Sequence, residues 1–336
     1  MKSKSRKLGL LVTVLIFTLT AGHAQQTAGG DTERDNGIRL YKQGNFRDAA
    51  NELRIAVNKN KNDAQAWFYL GLSLTRTGDA KEASKAYENA LALQPNSANA
   101  RAGLATTLLL RNKLNDALRE AERTLEFDNG SADAHYIIGV VRLRTGNNEK
   151  ALDEANTAIR LNPNVAQYYL LKSQALLTFV EESDIGDVNE KHATRLARNK
   201  EVVANIKEYL SRSPDKSQQA KWTDQLEALQ FSIDTLEGKT DVLGASQVTT
   251  LPRVLSKPEP SYTQVARING VTGTVVLRAV FAADGLVRYI VPIHSLPDGL
   301  TEEAIAAARK IKFVPATKDG KPISMWMQLE YNFHLF

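Results

Sequence analysis

The sequence predicts a multidomain chain: an all-α solenoid followed by a small α+β domain. Three observations carry this. Alanine and glycine recur at a 34-residue period through the first half. The last run of the chain alternates apolar and polar residues, as a half-buried strand does. Seven of the ten prolines stand at Pro252 or later, so the building style changes near there.

The first element is an export signal. "MKSKSRK" is a basic start, Leu8–Thr20 is a 13-residue apolar run, and "AGHA" offers the small residues Gly22 and Ala24 before Gln25. This is the layout of a secretory signal peptide over residues 1–24, and the run is short for a membrane span of about 20 residues. The rival reading is an uncleaved anchor extended through Ala21 and Gly22. On either reading the body is expected outside the cytoplasm. The same residues explain the charge. Lys2, Lys4, Arg6 and Lys7 supply four of the net +5, which leaves +1 for the rest. A body that close to neutral is not expected to bind nucleic acid, whose backbone needs clustered Lys and Arg. With no cysteine, disulfides, thiolate metal sites and a cysteine nucleophile are excluded.

Residues 30–180 hold the repeats. Ala49, Ala83, Ala117 and Ala151 lie 34 apart, and so do Gly37, Gly71, Ala105 and Gly139. A third column, Gly44, Gly78, Asn112 and Gly146, falls between the halves of each unit, while Pro95 and Pro163 close the second and fourth. Each unit reads as two antiparallel helices. Small residues stand where the helices cross, and the third column marks the turn between them. "AWFYLGLSLTRTGDAKEASKAYENALALQPNS" (66–97) resembles a tetratricopeptide repeat, through Trp67, Leu70, Gly71, Ala83, Tyr87, Ala90 and Pro95. The resemblance runs from about Gly30 to Val165 and continues in degenerate form into "AQYYLLKSQALLTF". It implies a peptide-binding groove lined by the first helix of each unit. Carried over, the groove positions are Gln65, Phe68, Leu72 and Arg76, then Asn99, Ala102 and Thr106, then Asp133, Tyr136, Val140 and Arg144. The alternative for any one of them is an ordinary surface or interhelix residue.

Residues 181–237 read as a helical cap. Leu196, Val203, Ile206 and Leu210 share one helix face, and Trp222, Leu226, Leu229, Ile233 and Leu236 share another. Such a pair covers the last apolar face of a solenoid. Residues 238–257, rich in Gly, Ser, Thr and Pro, read as a linker.

Residues 258–336 read as helix, strand, strand, helix, strand. Asp284-Gly285 joins two β-rich runs as a hairpin, and Thr301 with Glu302 and Glu303 opens a helix. In the last run Met325, Met327, Leu329, Tyr331, Phe333 and Leu335 face one way, and Gln328, Glu330, Asn332 and His334 the other. "PSYTQVARINGVTGTVVLRAVFAADGLV" and "LTEEAIAAARKIKFVPATKDGKPISMWMQLEYNFHL" resemble a TonB C-terminal domain. The matching residues are Pro258, Tyr262, Ala266-Arg267, Gly270, Gly273, Val275, Asp284-Gly285, Ala304, Ala307, Phe313, Pro315, Ala316, Gly320 and Pro322. Thr263 departs from the proline that usually follows the tyrosine. The resemblance implies docking of an extended peptide, the TonB box of an outer-membrane transporter, as an added strand on a sheet edge. The last strand is the expected edge, with Trp326, Gln328, Glu330 and Asn332 as contacts. The alternative for Trp326 is packing beneath the linker.

No catalytic constellation stands out. The histidines (His23, His135, His192, His294, His334) are dispersed, no Gly-x-Ser-x-Gly elbow occurs, and "GKT" at Gly238 lacks its upstream glycine. The expectation is therefore a non-enzymatic periplasmic adaptor, needing no cofactor or metal, whose partners are proteins or peptides, an outer-membrane transporter among them. The alternative is a TonB-type energy transducer anchored in the inner membrane if the N-terminal segment is retained. Against it, the apolar run holds no histidine and no proline-rich spacer follows.

Overall fold

The computed structural model describes residues 21–179, 188–213 and 219–335. Of the segment read as a signal peptide, residues 1–20 lie outside these, as do residues 181–187 and 214–218 of the expected cap and Phe336. The chain divides into two compact units, Met1–Leu110 and Arg111–Phe336.

The first unit is a run of helices: α1 (Ala21–Lys42), α2 (Phe46–Lys59), α3 (Ala64–Thr77), α4 (Ala80–Leu93) and α5 (Ala98–Leu110). Turn chemistry fixes their ends. Asp63 caps α3 by accepting from the Ala66 N–H at 2.9 Å, and Gly78 ends it at φ +90°, its N–H donating to Leu74 O. The 34-residue columns acquire their meaning at Tyr87, which is 1% exposed. A Cβ on Gly71 would lie 2.8 Å from the Tyr87 ring, and one on Gly103 would lie 2.4 Å from it. Both glycines are therefore seats for one aromatic plate. Leu53, Leu74 and Tyr87 anchor a core otherwise made largely of alanines. Each large buried side chain contributes roughly 1.5–3 kcal/mol.

The second unit continues with α6 (Leu114–Phe127), α7 (Ala132–Arg144), α8 (Asn148–Leu161), α9 (Ala166–Thr178), α10 (Val188–Arg212) and α11 (Gln219–Leu236). Asn112, standing in the glycine column, takes the same left-handed turn at φ +54°, which asparagine tolerates better than most residues. Helix α10 packs on α9 and so completes a fifth helical hairpin. The expected two-helix cap thus supplies that hairpin with its second helix, and α11 follows alone. Leu176, Val202, Ile206, Tyr209, Trp222, Leu229 and Ile233 form their shared core.

The C-terminal module comprises β1 (Arg253–Ser256), α12 (Gln264–Asn269), β2 (Gly273–Phe281), β3 (Val287–His294), α13 (Leu300–Ala308), β4 (Lys312–Val314), β5 (Ala316–Lys318), β6 (Lys321–Ile323) and β7 (Met325–Phe333). Its main sheet runs β3-β2-β7, all antiparallel. Val275, Leu277, Phe281, Leu329, Tyr331 and Phe333 pack beneath α12 and α13 around Leu300 and Ala304. Short pairs, β1–β4 and β5–β6, add to the expected order of elements. Asp319 and Gly320 turn β5 into β6 with φ +51° and +77°, the doubly left-handed geometry that suits a two-residue hairpin. Leu335 is exposed beyond the end of β7, not on its apolar face. Residues 238–257, expected as a linker, are tied to the module. Leu243 donates to Ser324 O at 3.1 Å, Thr250 and Thr317 bond to each other, and β1 pairs with β4.

Candidate interaction surfaces

Among the described residues, strand β7 pairs with another strand on one side only, and its other side carries a single parallel bridge, Met325 with Leu243. Pairing with β2 runs unbroken from Gly273↔Phe333 to Phe281↔Met325. The even-numbered residues of β7 turn their backbone groups outward. Ser324 O accepts from Leu243 just before the strand, Glu330 O accepts from Lys257 Nζ at 2.6 Å, and Thr274 Oγ1 reaches Asn332 Oδ1 at 2.6 Å. Such close side-chain pairs belong to the non-hydrogen-bonded positions of an antiparallel ladder. The outward N–H and C=O groups therefore belong to Trp326, Gln328, Glu330 and Asn332. The structure brings these four residues to one edge. Gln328, Glu330 and Asn332 are exposed, and Gln328 Nε2 donates to Glu330 Oε1 at 3.2 Å. Trp326 is half-buried. Arg278 of β2 lies 4.9 Å over its ring, and Phe231 of α11 meets it at 6.2 Å. Lys257 is the residue that sequence reasoning missed. It holds the Glu330 carbonyl and stands 4.5 Å over the Tyr331 ring.

The expected groove residues fall in both units. In the first unit Gln65, Arg76 and Asn99 are exposed, Phe68, Leu72 and Thr106 half-buried, and Ala102 buried. Arg76 sits 5.0 Å over the Phe46 ring, while Phe68 packs edgewise on Tyr69. Thr106 bonds back to the carbonyl of Ala102 at 2.9 Å, as helical threonines do.

In the second unit the chain itself meets α7. Asp133 Oδ1 accepts from Tyr168 at 2.6 Å, and burial together with that carboxylate pushes the Tyr168 phenol up. Tyr136, Val140 and Arg144 line a cavity of about 270 Å³, bounded opposite by Pro292–Pro297, the end of β3 and the residues after it. Burial pushes the Tyr136 phenol up and the Arg144 guanidinium down, the latter opposed by the carboxylate of Asp298. The contact continues along β3. Val291 joins the core of α9, α10 and α11, and Tyr289 stacks on Phe231. Among the described residues no group of His, Asp and Glu could hold a metal ion, and no helix is long and apolar enough to cross a membrane.

Comparison with known proteins agrees with these modules. Residues 258–335 match the family of the Gram-negative bacterial TonB protein C-terminal. Residues 34–98, 74–138 and 132–165 match three tetratricopeptide repeat families. The chain therefore carries tetratricopeptide repeats and a TonB C-terminal module. Among solved structures, MamA from Desulfovibrio magneticus RS-1 is 21% identical over 53% of this chain and 95% of its own, with TM-score 0.43. TTC0263, a tetratricopeptide repeat protein of Thermus thermophilus, is 16% identical over 60% and 99%, with TM-score 0.45. Pseudomonas aeruginosa PilF is 14% identical over 64% and 87%, with TM-score 0.47. No curated protein matches the chain.

Proposed function

We propose that this chain, a tetratricopeptide repeat scaffold joined to a TonB C-terminal module, is a non-enzymatic adaptor of the bacterial periplasm that takes an extended segment of a partner protein as an added strand on β7. The observation that carries the reading is the half-paired state of β7. Beyond the bridge of Leu243 with Met325, Gln328 turns its backbone donor and acceptor outward before the tie at Glu330, and an added strand satisfies such groups while alternate side chains give selectivity. The family match supports a Gram-negative envelope setting and a transporter of the outer membrane as partner. The basic, apolar start of the sequence supports export.

The test is a photo-crosslinking amino acid at position 328, introduced into the full chain in its own cells, with a second at exposed Leu251 as control. A discrete crosslinked partner at 328 and none at 251 is expected. Equal labelling at both positions, or none at 328, sinks the strand-addition reading. Mass determination of the native protein from the fractionated envelope tests the location separately. A mass starting at Gln25 in the soluble periplasmic fraction is expected, and a full-length mass in the inner membrane overturns it.

A further inference from the structure

The cavity between helices α7 and α9 and the loop after β3 has a chemistry that protein docking on β7 does not use. Val140, Leu170 and Leu177 supply apolar wall, and Tyr136, Gln174 and Arg144 bring polar groups to it. Arg144 makes no hydrogen bond and no ion pair among the described residues, and neither the Tyr136 hydroxyl nor the Gln174 amide has a partner there. Arg144 is half-buried at the cavity wall, and with no acceptor from the chain its guanidinium donors are available to a group bound in the cavity. The neighbouring charges do not supply it. Asp298 forms no ion pair with Arg144, and its carboxylate already accepts from Asn269 Nδ2 at 2.8 Å. The ring of His294, which closes one wall, donates through Nδ1 to Thr274 O at 2.7 Å.

The geometry points to a binding site for a small monocarboxylate with a short apolar chain, its carboxylate on Arg144 and its chain against Val140, Leu170 and Leu177. The guanidinium fork matches a carboxylate in a bidentate pair, and Gln174 offers a further N–H. One cation in an apolar wall suits a single negative charge better than a phosphate, which draws on several donors. At about 270 Å³ the cavity stands just below the range for drug-sized ligand pockets, so the ligand is small. Because its walls come from two helices, the end of β3 and the loop after it, the bound acid would link the module to the helices on which it rests. This goes beyond the docking of a protein strand and does not depend on it.

The probe is hexanoate, titrated calorimetrically into the full chain, with hexan-1-ol and hexylammonium as controls of equal length. Saturable binding of hexanoate and of neither control is expected. Arg144→Gln should weaken it by about tenfold or more, as loss of a charge-assisted pair does, with little change in the thermal midpoint. Val140→Phe keeps the charge and fills the cavity, and it should abolish binding as well. It decides the matter should Arg144→Gln fail to fold. Absence of saturable heat at millimolar hexanoate, equal binding of hexan-1-ol, or undiminished binding by the folded variants overturns the proposal.

Discussion

The rings of Phe231 and Tyr289 are stacked, 3.8 Å apart at their centroids and within 5° of parallel. Tyr289 reaches this position from a left-handed backbone, φ +48°, where β3 carries two residues opposite Ala279 of β2. A tyrosine at positive φ is strained, so the stack holds a conformation that the strand alone does not favour. A double-mutant cycle of Phe231→Ala and Tyr289→Ala, read by urea denaturation, should return a coupling of about 0.5–1.5 kcal/mol. Additive effects of the two substitutions would show that the stack carries no energy of its own.

Lys257 blunts the open edge, as lysines on edge strands commonly do. Lys257→Ala should change global stability by less than about 0.5 kcal/mol, as exposed substitutions usually do. Its effect is expected on the edge: a higher crosslinking yield at position 328, or self-association seen in sedimentation. A variant with unchanged yield and a single monomeric species would mean that the lysine does not guard the strand.

Gly71→Ala places a methyl group 2.8 Å from the Tyr87 ring, whereas Gly44→Ala meets nothing but its own φ of +83°. The first is an overpacking fault and should cost about 1–3 kcal/mol. The second is a backbone fault and should cost about 1 kcal/mol. Thermal unfolding of both variants, each combined with Tyr87→Leu, separates the causes. The smaller side chain should relieve only the Gly71 variant.

Tyr331 is buried, its hydroxyl has no partner, and burial pushes the phenol up to about 12, helped by the charge of Glu259. The unfolded phenol ionises near pH 10. Between pH 10 and about 12 the unfolded chain therefore holds fewer protons at this residue than the folded one, so stability falls as pH rises through that window. Tyr331→Phe should remove this contribution to the alkaline limb and leave the module as stable or up to about 1 kcal/mol more stable at neutral pH, since an orphaned hydroxyl is lost. Chemical denaturation across the pH range checks both. A variant destabilised at pH 7 would reveal a bonding role for the hydroxyl.

The elements legible in the sequence are those whose cause is local. Columns such as Gly71 with Tyr87, the alternation from Met325 to Phe333, and the Asp284-Gly285 turn each state their structure within a few residues or one repeat. Outward residues of β7 could be named from alternation alone. The contact of the module with the helices could not, because Phe231 lies off the Trp222–Leu236 apolar stripe and Tyr289 gains its reach from a bulge that no dipeptide announces. Strand β1 was hidden for a similar reason. Arg253–Ser256 is fully exposed and short, and it becomes a strand only because Lys312–Val314 lies beside it. Tyr136, Val140 and Arg144 lie on one helix, as the repeat pattern implies, but nothing local in the sequence discloses that Pro292–Pro297 of the same chain line a cavity with them.

The pairing of β2 with β7 also sets how the module would behave under load. Nine consecutive residue pairs join the two strands without a bulge. In an antiparallel ladder the hydrogen bonds lie across the strand direction. A tug along a strand laid on β7 would strain those bonds in parallel, in shear, and not unzip them one by one. The ladder behind it, anchored by Leu277 and Phe281 in the core, would share the same geometry. The module would thus resist best along the axis on which a captured segment would be drawn, and least a peel that opens the ladder one pair at a time.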